Sequence, residues 1–249
     1  SKSYGDAMED AGRAVASVEG NYFVAGYTNS MGNGDYDFLL LKIDASGNIA
    51  WNKTYGGSES DKAYAITEAS GGCVVAGDTR SKGEGESDAW IIKIDVNGDL
   101  VWDTAVGGGS FDMPTCIAAS NEGFLVGGFT FSFGNGERDF WLFKVDDSGN
   151  VSWSCTAGKT EFEEAYAALE VEENEFFMAG WTNSIGQGHY DFYVVKLGVE
   201  NGDSELPAYN FMVYALILST IVLVVITVVF LIVRRYVNRK ISERNENAV

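Results

Sequence analysis

Short apolar runs alternate with polar turns over most of the chain, and this pattern is typical of β-strands. Almost no segment before residue 208 has the 3.6-residue period of an amphipathic helix. Runs of apolar residues are instead bounded by clusters of Gly, Asn, Asp and Ser, which favour turns. In the first unit of the pattern, the predicted strands cover 13–18, 22–28, 38–44 and 49–55. The third run is almost continuously apolar, which predicts a strand that is covered on both faces.

The same four-strand pattern recurs along the chain. Aspartates open the third run at intervals of 51, 51 and 52 residues, at Asp37, Asp88, Asp139 and Asp191. Tryptophans occupy one position of the fourth run, at Trp51, Trp102 and Trp153. The first run holds small residues such as Ala14 and Ala16, which suit a crowded position near an axis. Four-stranded repeats of about 40–50 residues predict the blades of a β-propeller. A stack of β-solenoid coils is the runner-up, but its usual period is much shorter.

The four repeats cover about 4–54, 55–105, 106–156 and 157–197. The opening SKSYGD aligns with NKTYGG at 52–57, so the first residues correspond to part of a fourth strand, and the last repeat has no tryptophan. Two interpretations follow. The N-terminal piece closes a ring of four blades, or further blades come from upstream residues or from another subunit. We favour the second, because three residues make a poor closing strand.

A long apolar segment near the C-terminus predicts a membrane anchor. Residues 211–233 contain no charge, Gly or Pro, and they are followed by five Lys or Arg. Such a segment is long enough to cross a hydrocarbon core of about 30 Å. The positive-inside rule then predicts a single-pass type I protein of the cell surface. We expect an ectodomain at 1–197, a stalk at 198–208, a transmembrane helix at 209–233 and a cytoplasmic tail at 234–249.

The charge balance excludes one class of partner. The chain carries 36 Asp and Glu against 17 Lys and Arg, a formal net charge of −19. Such an acidic protein repels nucleic acid and attracts cations and basic partners. Three cysteines do not make a disulfide framework. The triplets that begin at Asn52 and Asn150 are candidate glycosylation sites.

The loops GNGDYD, GEGESD, GNGERD and GQGHYD invite a nucleotide or metal interpretation. A nucleotide fingerprint needs a helix after the glycines, and here a strand follows. We expect loops in which glycine allows positive φ and aspartate accepts loop or threonine hydrogen bonds. Calcium is the alternative, because carboxylates suit a hard cation. Its candidate ligands are Asp35, Asp37, Glu84, Glu86 and Asp88, but the unequal number of carboxylates per loop argues against four equivalent sites.

No constellation for catalysis stands out. His189 is the sole histidine, so a His-rich zinc site is excluded, as is a Ser–His–Asp triad built from repeated elements. Carboxylate pairs that suit glycosidase chemistry are too common here to single one out. The turns DASGN, DVNGD and DDSGN lack the spacing of a calcium loop and predict tight hairpins. We therefore expect no enzyme, no cofactor and no dedicated metal site.

One stretch also carries a resemblance to a known family. NYFVAGYTNSMGNGDYDFLLLKIDASGNIAWNKTYGG, which begins at Asn21, resembles the SBBP-type β-propeller repeats of secreted and surface proteins of archaea and bacteria. The resemblance covers roughly residues 4–200 and is specific for a fold rather than a function. A fainter resemblance is to quinoprotein propellers, in which a tryptophan docks between neighbouring blades. It implies the same role for Trp51, Trp102 and Trp153.

Three functional hypotheses follow. In the first, the protein is a membrane-anchored binding or adhesion module that holds protein or glycan partners through its loops, with exposed aromatic residues gathered on one loop face. Phe111, Phe131, Phe133 and Tyr190 are the candidates for that face. In the second, it is a structural or accessory subunit of a larger membrane or envelope complex, or an oligomer. In the third, it is a glycosidase- or quinoprotein-like enzyme.

Overall fold

A computed structural model describes residues 2–198, and these form four antiparallel sheets. The first contains β1 (Asp10–Val18), β2 (Asn21–Thr28), β3 (Asp37–Ile43) and β4 (Ile49–Tyr55). The second contains β5 (Asp61–Ala69), β6 (Gly72–Thr79), β7 (Asp88–Asp95) and β8 (Leu100–Val106). The third contains β9 (Asp112–Ser120), β10 (Gly123–Thr130), β11 (Asp139–Val145) and β12 (Val151–Ala157). Within the described residues the fourth contains β13 (Glu163–Glu172), β14 (Glu175–Thr182) and β15 (Asp191–Gly198).

Each sheet is a simple meander in which every strand pairs with the next one in sequence. The predicted bounds of β4 are confirmed, but β1 begins three residues earlier than predicted, at Asp10. The third and fourth strands are joined by the predicted hairpin turns. In the first sheet, Asp44 Oδ1 accepts hydrogen bonds from the backbone N–H groups of Ser46 and Asn48, both at 2.8 Å. Gly47 supplies the positive φ, +74°, that the turn requires.

The hydrophobic core lies between the sheets. Phe38 and Leu40 of β3 face the second sheet, where they meet Trp90 and Ile92. Equivalent apolar clusters fill the space between the second and third sheets and between the third and fourth. Each large side chain that is fully buried in this way contributes roughly 1.5–3 kcal/mol. No single sheet buries its apolar residues alone, so each depends on its neighbours.

The first strands of successive sheets lie against one another, β1 against β5, β5 against β9 and β9 against β13. The small residues of these strands allow this approach, as the sequence predicts. The all-β class is confirmed, and the repeating four-stranded sheets fit a β-propeller. The segment 211–233, predicted to cross the membrane, lies outside the described residues. Among residues 2–198 the structure contains no helix with the length and apolarity of a membrane span.

Candidate binding surface

A carboxylate at the start of each first strand ties it to the second strand of its own sheet. Thr28, Thr79 and Thr130 donate their hydroxyls to Asp10, Asp61 and Asp112, and Thr182 donates to Glu163 at 2.5 Å. Asp61 also accepts hydrogen bonds from Ser81 Oγ and from the backbone N–H of Gly57, both at 2.8 Å. Sequence reasoning missed these carboxylates, although they recur at the same interval as the aspartates of the third strands.

The aspartates that open the third strands have a second structural role. Asp37 Oδ2 accepts hydrogen bonds from the backbone N–H groups of Asn33 at 2.9 Å and Gly34 at 3.1 Å. Its other oxygen packs against Gly56, where a Cβ atom would lie only 2.0 Å away. That Cβ would also lie 2.8 Å from Asp61 Oδ2, so the carboxylates of two neighbouring sheets meet at this glycine. Only glycine fits between them.

The same arrangement recurs at the next two junctions. A Cβ on Gly107 would lie 1.8 Å from Asp88 Oδ1, and one on Gly158 would lie 1.8 Å from Asp139 Oδ1. Among the described residues, neither of these buried oxygens has a hydrogen-bond partner. Burial raises the pKa of Asp88 to about 6, and the nearby charges of Asp112 and Glu84 add to the effect. Burial likewise raises the pKa of Asp139.

The calcium candidates do not converge. Asp37 and Asp88 are buried at the junctions, whereas the side chains of Asp35, Glu84 and Glu86 are exposed. Within residues 2–198, no three His, Cys, Asp or Glu side chains are grouped so as to hold a metal ion. Asp139 lies at its junction in the same way as Asp37 and Asp88, and Asp191 occupies the corresponding place in the fourth sheet.

Backbone hydrogen bonds join neighbouring sheets beside these carboxylates. The N–H of Asp61 donates to the carbonyl of Tyr36 at 2.7 Å, and the N–H of Glu163 donates to the carbonyl of Arg138 at 2.7 Å. The residue before each third strand is therefore fixed next to the residue before the following first strand. The positions that flank the recurring Asp and Thr differ between junctions, so a constant framework presents a variable set of side chains.

The first two junctions carry different groups at these variable positions. At the first, Lys62 Nζ lies 3.8 Å from the ring centre of Tyr36 and 5.0 Å from that of Tyr27. At the second, Asp78 and Ser87 take the places of Tyr27 and Tyr36, and their side chains are hydrogen-bonded at 2.9 Å. One framework thus accommodates an aromatic and cationic group in one place and a polar pair in the next.

The third junction concentrates aromatic residues around one cation. We call this set the Arg138 cluster, and it consists of Arg138, Glu164, Phe111, Phe129, Phe131, Phe162 and Trp181. The guanidinium carbon of Arg138 lies 4.6 Å from the ring centre of Phe129 and 4.9 Å from that of Trp181. Arg138 Nη2 forms an ion pair with Glu164 at 3.2 Å, and both side chains are largely buried. Cation–π contacts of this kind contribute about 0.5–2 kcal/mol each.

Two exposed aromatic side chains lie at the edge of the Arg138 cluster, Phe131 within it and Tyr190 beside it. Phe131 is 39% exposed, and its ring centre lies 6.4 Å from that of Phe111. Tyr190 is 70% exposed and stands edge-on to Trp181 at 4.8 Å. Of the aromatic residues named from the sequence, Phe131 and Tyr190 are exposed, and the partly buried Phe111 contacts Phe131.

Phe133 is also exposed, but its ring has a different neighbour. Its ring packs instead on Trp141, with centres 6.2 Å apart. It lines a separate open cavity of about 380 Å³ together with Val106, Trp141, Ser154, Cys155 and Thr156. Phe133 is 45% exposed, as expected of the loop aromatics, but its described ring contact is with Trp141 of the third strand rather than with Phe131.

The recurring tryptophans lie at the contacts between sheets. Trp51 Nε1 donates to the carbonyl of Val96 in the second sheet at 3.2 Å. Trp102 Nε1 donates to the carbonyl of Asp147 in the third sheet at 2.9 Å. Trp153 packs against Phe176 of the fourth sheet, with ring centres 4.9 Å apart.

The remaining candidates are peripheral or inert. The side chains of Asn52, Asn150 and His189 are exposed, and the Asn150 amide donates to Asp146 in its turn at 3.0 Å. Cys73, Cys116 and Cys155 are free thiols. Burial raises the pKa values of Cys73 and Cys155 to about 12 and that of Cys116 to about 11, so these thiols are poor nucleophiles.

Comparison with known proteins adds little to this geometry. No family model and no curated protein matches the chain. Among solved structures, the chain is similar to Sqt1 from Chaetomium thermophilum, with a TM-score of 0.39 and 13% identity over 69% of this chain and 41% of that one. It is also similar to a subtype N10 neuraminidase-like protein of A/little yellow-shouldered bat/Guatemala/060/2010, with a TM-score of 0.41 and 12% identity over 67% of this chain and 50% of that one. The chain thus spans half or less of each of these proteins, and the likeness is too weak to indicate a function.

Proposed function

We propose that this chain is a membrane-anchored β-propeller of the cell surface whose loop face, centred on the Arg138 cluster, binds a protein or glycan partner. One observation carries the proposal. The residues that hold neighbouring sheets together recur at every described junction, whereas the positions beside them vary. At the third junction they place four aromatic rings around Arg138, and a fifth ring, Phe111, packs against two of these four. Function is argued from the site and not from the fold. A surface of aromatic rings packed around an arginine suits binding better than catalysis.

The chemistry of the cluster supports recognition. Tyr, Trp and Arg are the residues most enriched among those that dominate binding energy at protein interfaces. Phe131 and Tyr190 offer aromatic surface to the solvent, while Phe129 and Arg138 hold the buried side of the cluster in place. A flat ring also packs well against the apolar face of a sugar. The net charge of −19 favours a partner that carries basic groups around this contact.

The membrane anchor is part of the same proposal. Residues 209–233 would hold the sheets near the outer surface, and the basic residues of 234–249 would remain in the cytoplasm. In this proposal the anchor keeps the binding face at the cell surface.

The test is a binding screen with matched variants. The purified full-length protein is applied to arrays of glycans and of cell-surface proteins, and the same screen is repeated with Phe131→Ser and Tyr190→Ser. Val151→Ser is the control, because Val151 is 40% exposed, like Phe131, but lies on an outer strand. The proposal predicts a ligand whose affinity falls at least tenfold in the first two variants and is unchanged in the control. Equal affinity in all four proteins would contradict it.

A further inference from the structure

The two ends of the described chain each carry half of a junction between sheets. Where two described sheets pack together, the third-strand residues that point towards the next sheet along the chain are buried by that sheet. Phe38 and Leu40, Ala89 and Ile91, and Phe140 and Leu142 are all 0% exposed. In the fourth sheet the residues at the same two positions are Phe192 and Val194, and they are 77% and 46% exposed. The face that docks the next sheet is therefore present in the fourth sheet, and no other described sheet covers it.

The N-terminal segment carries the complementary half. Tyr4 OH donates to the carbonyl of Gly47 at 2.7 Å, as Tyr55 OH donates to the carbonyl of Gly98 at 2.6 Å. Lys2 Nζ donates to Asn48 Oδ1 at 2.7 Å, as Lys53 Nζ binds Asp99 Oδ1 at 2.7 Å. Residues 2–5 thus lie on the first sheet where the fourth strand of a preceding sheet would lie.

The carboxylates of the junction are divided in the same way. The N–H of Asp6 donates to Asp10 Oδ2 at 2.7 Å, as the N–H of Gly57 donates to Asp61 Oδ2 at 2.8 Å. A Cβ on Gly5 would lie 2.6 Å from Asp10 Oδ2, as one on Gly56 would lie 2.8 Å from Asp61 Oδ2. Gly5 has no counterpart of Asp37 beside it, and no glycine among residues 2–198 packs against Asp191 Oδ1.

We propose that these halves meet between two copies of this chain, so that residues 2–5 of one copy form the outer strand on β15 of the other. The pairing of β3 with β4 fixes the register. Phe38 lies opposite Tyr55 and Leu40 opposite Lys53, which places Phe192 opposite the other copy's Tyr4 and Val194 opposite its Lys2. Gly5 of the second copy then packs against Asp191, as Gly56 packs against Asp37. The exposed face of the fourth sheet is covered by the first sheet of the second copy.

The number of described sheets is compatible with a ring of two copies. Within the described residues β15 pairs with β14 alone, so the four sheets of one copy are not closed by its own N-terminal segment. Propellers contain about four to eight blades, and the four described sheets of each of two copies together reach the upper end of that range. Each contact joins two different surfaces, the N-terminal segment of one copy and the fourth sheet of the other. When this contact is made twice, the ring closes and leaves no sheet edge free for further association.

Disulfide trapping between two distinguishable full-length chains tests the proposal. One chain carries Tyr4→Cys, the other carries Phe192→Cys and an affinity tag, and the two are co-expressed and oxidised in detergent. We expect a disulfide-linked species of twice the chain mass, and none when Leu100→Cys, an exposed position on β8, replaces Phe192→Cys. A mixture without the specific link overturns the proposal. So does a double Tyr4→Cys and Phe192→Cys chain whose disulfide forms only within a monomer, which would indicate a closed ring of four sheets.

The mass of the protein without cross-linking gives a second readout. We expect the wild-type chain to be a dimer by light scattering, with detergent subtracted, and Phe192→Asp to be a monomer with an unchanged circular dichroism spectrum. Val151→Asp, on an outer strand, should remain a dimer. A monomeric wild-type protein contradicts the proposal, since the halves of the junction would then be filled by something other than a second copy.

Discussion

The contact between Asp88 and Gly107 is the sharpest point at which to test how neighbouring sheets are held together. In Gly107→Ala the new methyl group would lie 1.8 Å from Asp88 Oδ1 and 2.8 Å from Asp112 Oδ2. Asp88 must then rotate and lose its backbone hydrogen bond from the Glu84 loop, at about 1 kcal/mol. Overpacking adds roughly 1–3 kcal/mol. We expect the free energy of unfolding to fall by about 3 kcal/mol, which lowers Tm by roughly 6–12 °C in a domain of this size.

The assay is thermal and urea unfolding followed by near-ultraviolet circular dichroism. Gly109→Ala is the matched control, because a Cβ there would meet nothing within 4 Å, and its stability should change by less than about 0.5 kcal/mol. Asp88→Ala removes the carboxylate that the new methyl group would strike. In that background, Gly107→Ala should therefore lower the free energy of unfolding only slightly. The double-mutant cycle should therefore give a coupling of about 2–3 kcal/mol. Additive effects, or equal behaviour of Gly107→Ala and Gly109→Ala, would refute the reasoning.

Four further outcomes are expected. The folded pKa of Asp88, about 6, lies above the unfolded value, so its contribution to stability is full below about pH 4 and is lost as pH rises through 6. Asp88→Asn should therefore gain stability relative to wild type as the pH rises from about 4 to 7 in urea titrations. Glu164→Gln leaves the Arg138 guanidinium without its carboxylate and should lower the free energy of unfolding by about 1–3 kcal/mol in the same assay. Adding Arg138→Met to that variant should recover part of the lost stability, because the unpaired charge is then removed. The buried Cys73 thiol, with a pKa of about 12, should react with Ellman's reagent at pH 8 only after unfolding. Removal of residues 209–249 should release the protein from membranes in a carbonate wash, whereas removal of 234–249 should not.

The repeat made much of the fold predictable from the sequence. Four runs per unit, recurring at a constant interval, predicted the meanders, and the continuous apolar third runs predicted strands buried on both faces, as β7 and β11 are. The start of β1 was missed because Asp10, Ala11 and Gly12 carry no apolar signal, and their strand pairing with β2 is what extends the sheet. The pairing with β2 therefore determines where β1 begins more strongly than the local sequence pattern does.

The candidate site was only partly predictable, for a physical reason. Arg138 and Phe162 lie in different sheets and meet because a backbone bridge joins the third sheet to the fourth. Phe111 reaches the cluster through its ring contacts with Phe129 and Phe131. The sequence shows which positions vary between repeats, but not that these positions converge at a junction. Asp10 and its equivalents could have been found, because the interval between them matches that of the third-strand aspartates.

The central claim is that the sheets fan out around a common centre, with their first strands inside. Pairs of nitroxide labels at exposed positions that are equivalent in the repeat test it, because double electron–electron resonance measures the distance between the two labels. Ile49 and Val151 begin the outer strands of the first and third sheets, and Glu19 and Asn121 lie in the turns beside the inner strands. A fan predicts that the Ile49–Val151 distance is clearly longer than the Glu19–Asn121 distance. Two equal distances of about 20 Å, as expected for sheets piled face to face about 10 Å apart, would contradict the account.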